Sequence, residues 1–177
     1  DGTHDLVFGA PWASSLSEVR FLELPAPAWD LSTDELMWAS LVADADTELG
    51  HDLLFDDLNA DGKLDLVVAA PGDDYNEEDA GAIYIFYDVA TKLVATNLTA
   101  SVEADTIVRG TGFQARFGIA MAAAGDLDGD GTRDLVVSQL SGGSMGQYGV
   151  LWALSGDRLA SDPSANDAAI GVWQGIT

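Results

Sequence analysis

The chain contains no cysteine, which excludes disulfide staples, thiolate metal sites and cysteine catalysis. Basic residues are scarce: seven Lys and Arg stand against 30 Asp and Glu, for a net charge of −23. Such a surface repels nucleic acid and anionic lipid, so cations and basic partners are its natural company. No apolar run approaches the roughly 20 residues of a membrane span, so no membrane insertion is expected. The opening residues, Asp1 to Asp5, lack the basic start and apolar body of a signal peptide. We therefore expect a mature chain or a piece of a longer one. The only histidines, His4 and His51, show no H-x-x-x-H spacing and are read as structural rather than zinc ligands. What is present is a folding composition, with 177 residues, 47% apolar and 8% aromatic.

One phrase recurs three times: DGTHDLVFGAP at 1–11, DGKLDLVVAAP at 61–71 and DGTRDLVVSQL at 130–140. Its surroundings recur too, since LGHDLLFDDLNADG (49–62) aligns with FGIAMAAAGDLDGDG (117–131). A β run follows each copy, at 17–25, 81–89 and 148–154. Alternating or β-branched segments of five to nine residues between Gly, Asp, Asn and Pro clusters are strands and turns.

The second unit, 49–116, is predicted to hold strands at 49–57, 65–71, 81–89 and 105–110, and the third, 117–177, strands at 117–126, 134–140, 148–154 and 170–175. The first, 1–48, starts inside its acidic loop and lacks its first strand. Tandem four-stranded antiparallel units are β-propeller blades, an all-β fold, with a solenoid or sandwich as the alternative. The small residues of VVAAP and AMAAAG suit crowded inner strands. At 60 to 69 residues per blade the sequence holds fewer than three, below the four or so of the smallest propellers. We expect the remaining blades to come from a longer chain or another polypeptide.

Each acidic loop places oxygen donors on alternate residues. In the third unit these are Asp126, Asp128 and Asp130, the backbone carbonyl of Thr132, and Asp134, with Gly131 at the turn. The second offers Asp57, Asn59, Asp61, the carbonyl of Lys63, and Asp65, with Gly62. A hard cation with six or more oxygen ligands requires such a set, and calcium fits better than magnesium. Two carboxylates about 4 Å apart repel by on the order of 4 kcal/mol at an effective dielectric near 20, so an empty loop should open. An EF-hand needs a Glu at position 12, where these loops place Val68 and Val137, and it needs flanking helices rather than strands. Two complete calcium sites and one partial site, with Asp1, the Thr3 carbonyl and Asp5, are expected.

Other features carry weaker signals. Residues 142–146, GGSMG, match a hydrolase nucleophile elbow at Ser144, but the next element is a strand and no histidine lies downstream, so a hairpin turn is expected. The acidic loop around Asp74 and Tyr75 could meet a basic partner or simply be solvated, and Trp12 could stack on a ligand or pack. Trp38, Trp152 and Trp173 are expected to fill gaps between blades. Asn97-Leu98-Thr99 is an N-glycosylation sequon.

Taken together, Phe117-Gly118 and its variant Leu49-Gly50, the two acidic loops, FGAP at 8–11 and AAPG at 69–72 resemble the FG-GAP repeat of integrin α-subunit propellers and their bacterial relatives. The resemblance spans essentially the whole chain, with SQL in unit three departing from the GAP pattern. It implies a seven-bladed propeller, calcium in the hairpins of one face and ligand contacts on the other. The implied function is a non-catalytic, extracellular or cell-surface segment for adhesion, binding a protein or a carbohydrate. Extracellular calcium modules, with affinities of about 10⁻⁴ to 10⁻³ M, would be empty in a cytosol. The alternatives are the propeller part of a polysaccharide- or lipid-degrading enzyme and a passive assembly module.

Overall fold

A computed structural model describes residues 4–12, 17–24, 37–44, 46–140, 149–159 and 164–175. Three four-stranded sheets succeed one another along the chain. The middle sheet contains β4 (Leu53–Asp56), β5 (Asp65–Ala70), β6 (Ala82–Phe86) and β8 (Thr106–Arg109), and the third contains β9 (Ala120–Gly125), β10 (Asp134–Gln139), β11 (Val150–Leu154) and β12 (Ala169–Gln174). Both are antiparallel meanders, as the repeat predicts. One-turn helices α1 (Val89–Lys92), α2 (Ala100–Glu103), α3 (Gly156–Leu159) and α4 (Ala165–Ala168) lie in the connections.

The first sheet joins β1 (His4–Ala10), β2 (Glu18–Leu24) and β3 (Met37–Val42) to a strand from another unit, β7 (Leu98–Thr99). Contrary to an all-antiparallel expectation, β7 runs parallel to β3 through Leu41 opposite Leu98 and Val42 opposite Thr99. Two bonds carry the segment across: Ser40 donates its N–H to the Ala95 carbonyl at 3.2 Å, and the Asn97 N–H reaches Ser40 Oγ at 2.7 Å. The end of β3 from Ser40 to Val42, at the outer edge of the first sheet, is thereby covered rather than left as an open pairing template.

Strand order explains why β5 reads as an unbroken apolar run. Its six residues are all buried, because the middle sheet is packed on both faces. Leu66, Val68 and Ala70, with Ala82, Tyr84 and Phe86 on β6, meet Val19, Phe21, Ala39 and Leu41 of the first sheet. Val67, Ile83 and Ile85 point the other way, onto Leu135, Val137, Trp152 and Leu154 of the third. The side-chain period of two sends alternate residues into two separate cores. Each fully buried Val, Leu or Ile contributes about 1.5–3 kcal/mol.

The first strand of each complete unit begins later than the sequence predicts, at 53 and 120 rather than 49 and 117. Leu49-Gly50 and Phe117-Gly118 form the turn that enters the sheet: Leu49 and Phe117 are fully buried anchors, while the N–H groups of Gly50 and Gly118 bond the carbonyls of Ala69 and Ser138. Trp38 packs against Phe21 at 5.5 Å and Trp152 against Phe117 at 6.2 Å between ring centroids, each in an interblade core. Trp173 departs from its expected role. It is 57% exposed, and its ring lies over Gly171, where an added Cβ would meet it at 2.5 Å. Ala122 and Ala123 of β9 are also exposed.

Candidate metal centre

Both acidic loops sit in tight hairpins between paired strands, 57–65 between β4 and β5 and 126–134 between β9 and β10. In the third unit Asp126, Asp128 and Asp130 each bring a carboxylate oxygen within 4.8 Å of the others, on an exposed surface. The loop winds around its own side chains. Asp126 accepts the N–H groups of Gly129 at 2.6 Å and Gly131 at 3.0 Å. Asp128 accepts that of Asp130 at 3.2 Å, and Asp130 accepts both the N–H (2.8 Å) and the hydroxyl (2.6 Å) of Thr132. The second loop repeats the winding: Asp57 accepts from Asp61 and Gly62, each at 3.0 Å, Asn59 from Asp61 at 3.0 Å, and Asp61 from Lys63 at 2.9 Å. An ionised carboxylate has about four acceptor sites, so these bonds leave lone pairs for a cation. Calcium–oxygen distances of 2.3–2.6 Å, laid end to end, span about 4.6–5.2 Å, and the 4.8 Å cluster of hard oxygen donors fits that ion.

One backbone position distinguishes the loops. Gly129 has φ +83°, a left-handed conformation free of cost for glycine, whereas its counterpart Ala60 adopts φ +57° with a Cβ to accommodate.

The ninth position is a peg. Asp65 and Asp134 are fully buried, and each uses both oxygens. Asp65 accepts the N–H of Leu58 at 2.9 Å and of Asp88 at 3.0 Å, and Asp134 those of Leu127 at 2.6 Å and Gly156 at 3.2 Å. One oxygen thus holds the loop's first turn and the other holds the chain just beyond the third strand. Burial pushes the Asp65 carboxyl above its ordinary range, while the backbone N–H groups pull against it. Sequence reasoning did not find Asp88 and Gly156. They occupy the same place, two residues past β6 and β11, but act through the backbone, so their side chains share no pattern.

The loops differ in their second surroundings. Ser155 Oγ donates to Asp130 Oδ2 at 3.3 Å, and Asp130 is held below the usual carboxylate range, chiefly by the Thr132 hydroxyl. At the second loop the Lys63 ammonium pairs with Asp88; the pair raises Lys63 and lowers Asp88. Asp5, the described member of the partial third set, is exposed on β1, whereas Asp1 and Thr3 lie outside the described residues.

At the opposite strand ends, Trp12 is 74% exposed with its ring edge-on to His51 at 5.9 Å. Tyr75 is equally exposed, and the Arg109 guanidinium lies 3.9 Å from its ring centroid. Its loop is organised: Asp74 accepts the Asp79 N–H at 2.7 Å, and the Asn76 amide donates to the Gly110 carbonyl at 2.8 Å. Ser144 lies outside the described residues. Among the described residues no helix is long and apolar enough to cross a membrane.

The FG-GAP repeat model matches residues 49–86, the span of β4, the second acidic loop, β5 and β6. Integrin alpha-IIb of Homo sapiens is 31% identical over 169 residues, 92% of this chain and 15% of that protein. Integrin alpha-IIb of Mus musculus is 30% identical over 156 residues, 84% of this chain and 14% of its own length. Integrin alpha-PS5 of Drosophila melanogaster is 34% identical over 97 residues, 50% of this chain and 8% of that protein. The chain therefore spans only about a seventh of the integrin alpha-IIb proteins it matches. Three tandem sheets, the acidic hairpins between their strands and these matches place the chain in the FG-GAP repeat family of integrin α-subunit-like β-propellers.

Proposed function

We propose that this chain is a calcium-binding, non-catalytic propeller segment of a secreted or cell-surface protein that binds a protein or carbohydrate ligand. The convergence of Asp126, Asp128 and Asp130 carries the reading. Three mutually repelling carboxylates gathered in one turn are stabilised by a divalent ion, with the Thr132 carbonyl and Asp134 as further ligands. Asp57, Asn59, Asp61, the Lys63 carbonyl and Asp65 form the second site. Asp1, Thr3 and Asp5 are the ligands of a third, partial one.

In this reading calcium fixes the hairpins on one face and so orders the loops at the other strand ends. Trp12, Asp74 and Tyr75 there offer exposed aromatic rings beside acids, a surface suited to a basic or carbohydrate ligand. Ser144 belongs to the same set of ligand candidates. The integrin relatives support an adhesive role at the cell surface, in company with further blades. Calorimetric titration of calcium into chelator-stripped protein tests the proposal, with two molar equivalents expected in the complete loops. No heat of binding at millimolar calcium would remove it.

A further inference from the structure

Three consecutive residues of the second acidic hairpin, Lys63, Leu64 and Asp65, face two ways. On one side the Lys63 carbonyl and Asp65 are ligands in the calcium reading. On the other, all three hold the chain that leaves β6. The Lys63 ammonium pairs with the Asp88 carboxylate, the Leu64 carbonyl accepts the Val89 N–H at 3.0 Å, and Asp65 accepts the Asp88 N–H at 3.0 Å. Asp88 takes a left-handed φ of +51° at this root.

From that root the segment crosses to the first sheet before it returns to its own. Leu93, just past α1, and Ala100, at the start of α2, are buried in the core between the first and second sheets, with Val89 and Leu98 packed against it. Between these anchors lie the two bonds to Ser40 and the parallel pairing of β7 with β3, and the Ser101 hydroxyl then donates to Asp44. Asn97 turns the chain into β7 with φ +58°. Asp105 closes the base by accepting the Tyr87 N–H at 2.8 Å and pairing with Lys92. A segment with joined ends, packed by its own side chains, has the build of an Ω-loop. Its pairing with the first sheet covers only Leu98 and Thr99, so that grip belongs to the weaker end of the local stabilities in the fold and depends on how firmly the root is held.

We propose that residues 88–101 form a calcium-set latch, closed on β3 when the hairpin 57–65 holds an ion and lifted when it does not. Without the ion Asp57, Asp61 and Asp65 repel one another and the hairpin spreads. That movement draws the Leu64 carbonyl and the Asp65 carboxylate away from the N–H groups of Val89 and Asp88, and the root is released. With the ion bound, residues 63–65 are fixed and the latch is held against the first sheet. The proposal rests on the calcium reading and deepens it: the second hairpin governs how firmly one sheet is fastened to the next, beyond ordering its own turn.

Two amides report on the latch directly, those of Ser40 and Asn97, because their partners lie across the joint. Their hydrogen exchange is measured in the full chain with calcium and with chelator, beside calorimetric titration of calcium into the same protein. Chelator should speed both amides at least about fivefold while the β5 and β6 amides stay protected. Asp61→Asn, which removes a ligand without touching the latch, should show the fast exchange even in calcium. Asp130→Asn, which disables the other hairpin, should keep the slow one. Calcium uptake by the second loop with no change at Ser40 and Asn97 overturns the latch and leaves the metal reading intact. Equal acceleration in Asp130→Asn also overturns it, because the ions then tighten the whole fold. No calcium uptake by either loop removes the metal reading and the latch with it.

Discussion

Tyr84 on β6 donates its hydroxyl hydrogen to Asp73 Oδ2 at 2.7 Å, inside the seam between the first and second sheets. The other oxygen of Asp73 accepts the Tyr75 N–H at 3.0 Å, so a buried carboxylate ties the core to the base of the acidic loop that carries Tyr75. Tyr84→Phe keeps the ring and leaves Asp73 Oδ2 without its donor. The expected loss is about 1–3 kcal/mol in urea unfolding. Hydrogen exchange should rise in loop 73–79 before it rises in β6. An unchanged midpoint would show that water replaces the hydroxyl.

The same tyrosine sets an alkaline limit, together with Tyr87. Burial is the main cause in both; Asp73 adds to the rise at Tyr84, and Tyr87 is pushed up to about 12 from an ordinary 10.0. A folded value above the unfolded one means that the unfolded chain releases its protons first as pH rises. The stability these groups contribute is whole below pH 10 and is lost as pH climbs towards 12. Urea midpoints at rising pH should fall through that window, and Tyr87→Phe should flatten the decline. A slope unaltered in the variant assigns the limit to other groups.

The two loops should bind calcium with unequal strength. The third presents four carboxylates, Asp126, Asp128, Asp130 and Asp134, and the second three, with Asn59 at the third position. The Lys63 ammonium adds a positive charge acting on Asp61 and Asp65. Ligand charge tunes calcium affinity, so titration should resolve a tighter and a weaker class. Asp130→Asn should abolish the tighter class, and Asn59→Asp should strengthen the weaker one by on the order of tenfold. Chelator should lower the melting temperature of the native chain, and less so that of Asp130→Asn. Equal affinities for the two loops in native protein would contradict this ordering.

Much of this was legible in the sequence because the repeat recurs with its turns. DLVV at 65–68 and 134–137 begins with the buried Asp that pins the loop, so the sharpest chemical signal and the start of the strand coincide. Pairing of β7 with β3 was not legible. Two residues, Leu98 and Thr99, carry no periodicity, and their partners lie 57 positions earlier. Trp173 was misread for a related reason: an aromatic on a strand implies a packed face only where another element covers that face, and the sequence of a single strand does not report its neighbour. The amides of Asp88 and Gly156 left no trace because the backbone supplies the bond.

Ala60 offers a test that touches no ligand. Its left-handed φ of +57° costs a residue with a Cβ roughly 1–2 kcal/mol, while glycine's extra freedom in the unfolded chain returns about 0.4–1 kcal/mol of that. Ala60→Gly should therefore stabilise the protein by about 0.5–1 kcal/mol, and Gly129→Ala should cost a similar amount in the other loop. Thermal melts in calcium read both. If the two substitutions move Tm in the same direction, backbone strain does not govern these turns.

Gly156 is where the two complete loops meet. A Cβ there would lie 2.2 Å from the Arg133 carbonyl oxygen and 2.6 Å from that of Leu58, so α3 is wedged between the backbones of both acidic hairpins. Its N–H also bonds Asp134 at 3.2 Å. Neither carbonyl can swing aside as a side-chain tip would, and Gly156→Ala must push the hairpins apart at a cost of about 2–3 kcal/mol. Gly62→Ala is the contrast. It meets nothing within 4 Å and is strained only by its φ of +84°, so it should cost about 1–2 kcal/mol and disturb the second loop alone. Calcium titration separates the cases, because Gly156→Ala should weaken both classes of site and Gly62→Ala only the weaker one. Were Gly156→Ala to leave the second loop's affinity intact, the hairpins would be independent ion sites, and the contact between them would be packing without consequence for calcium.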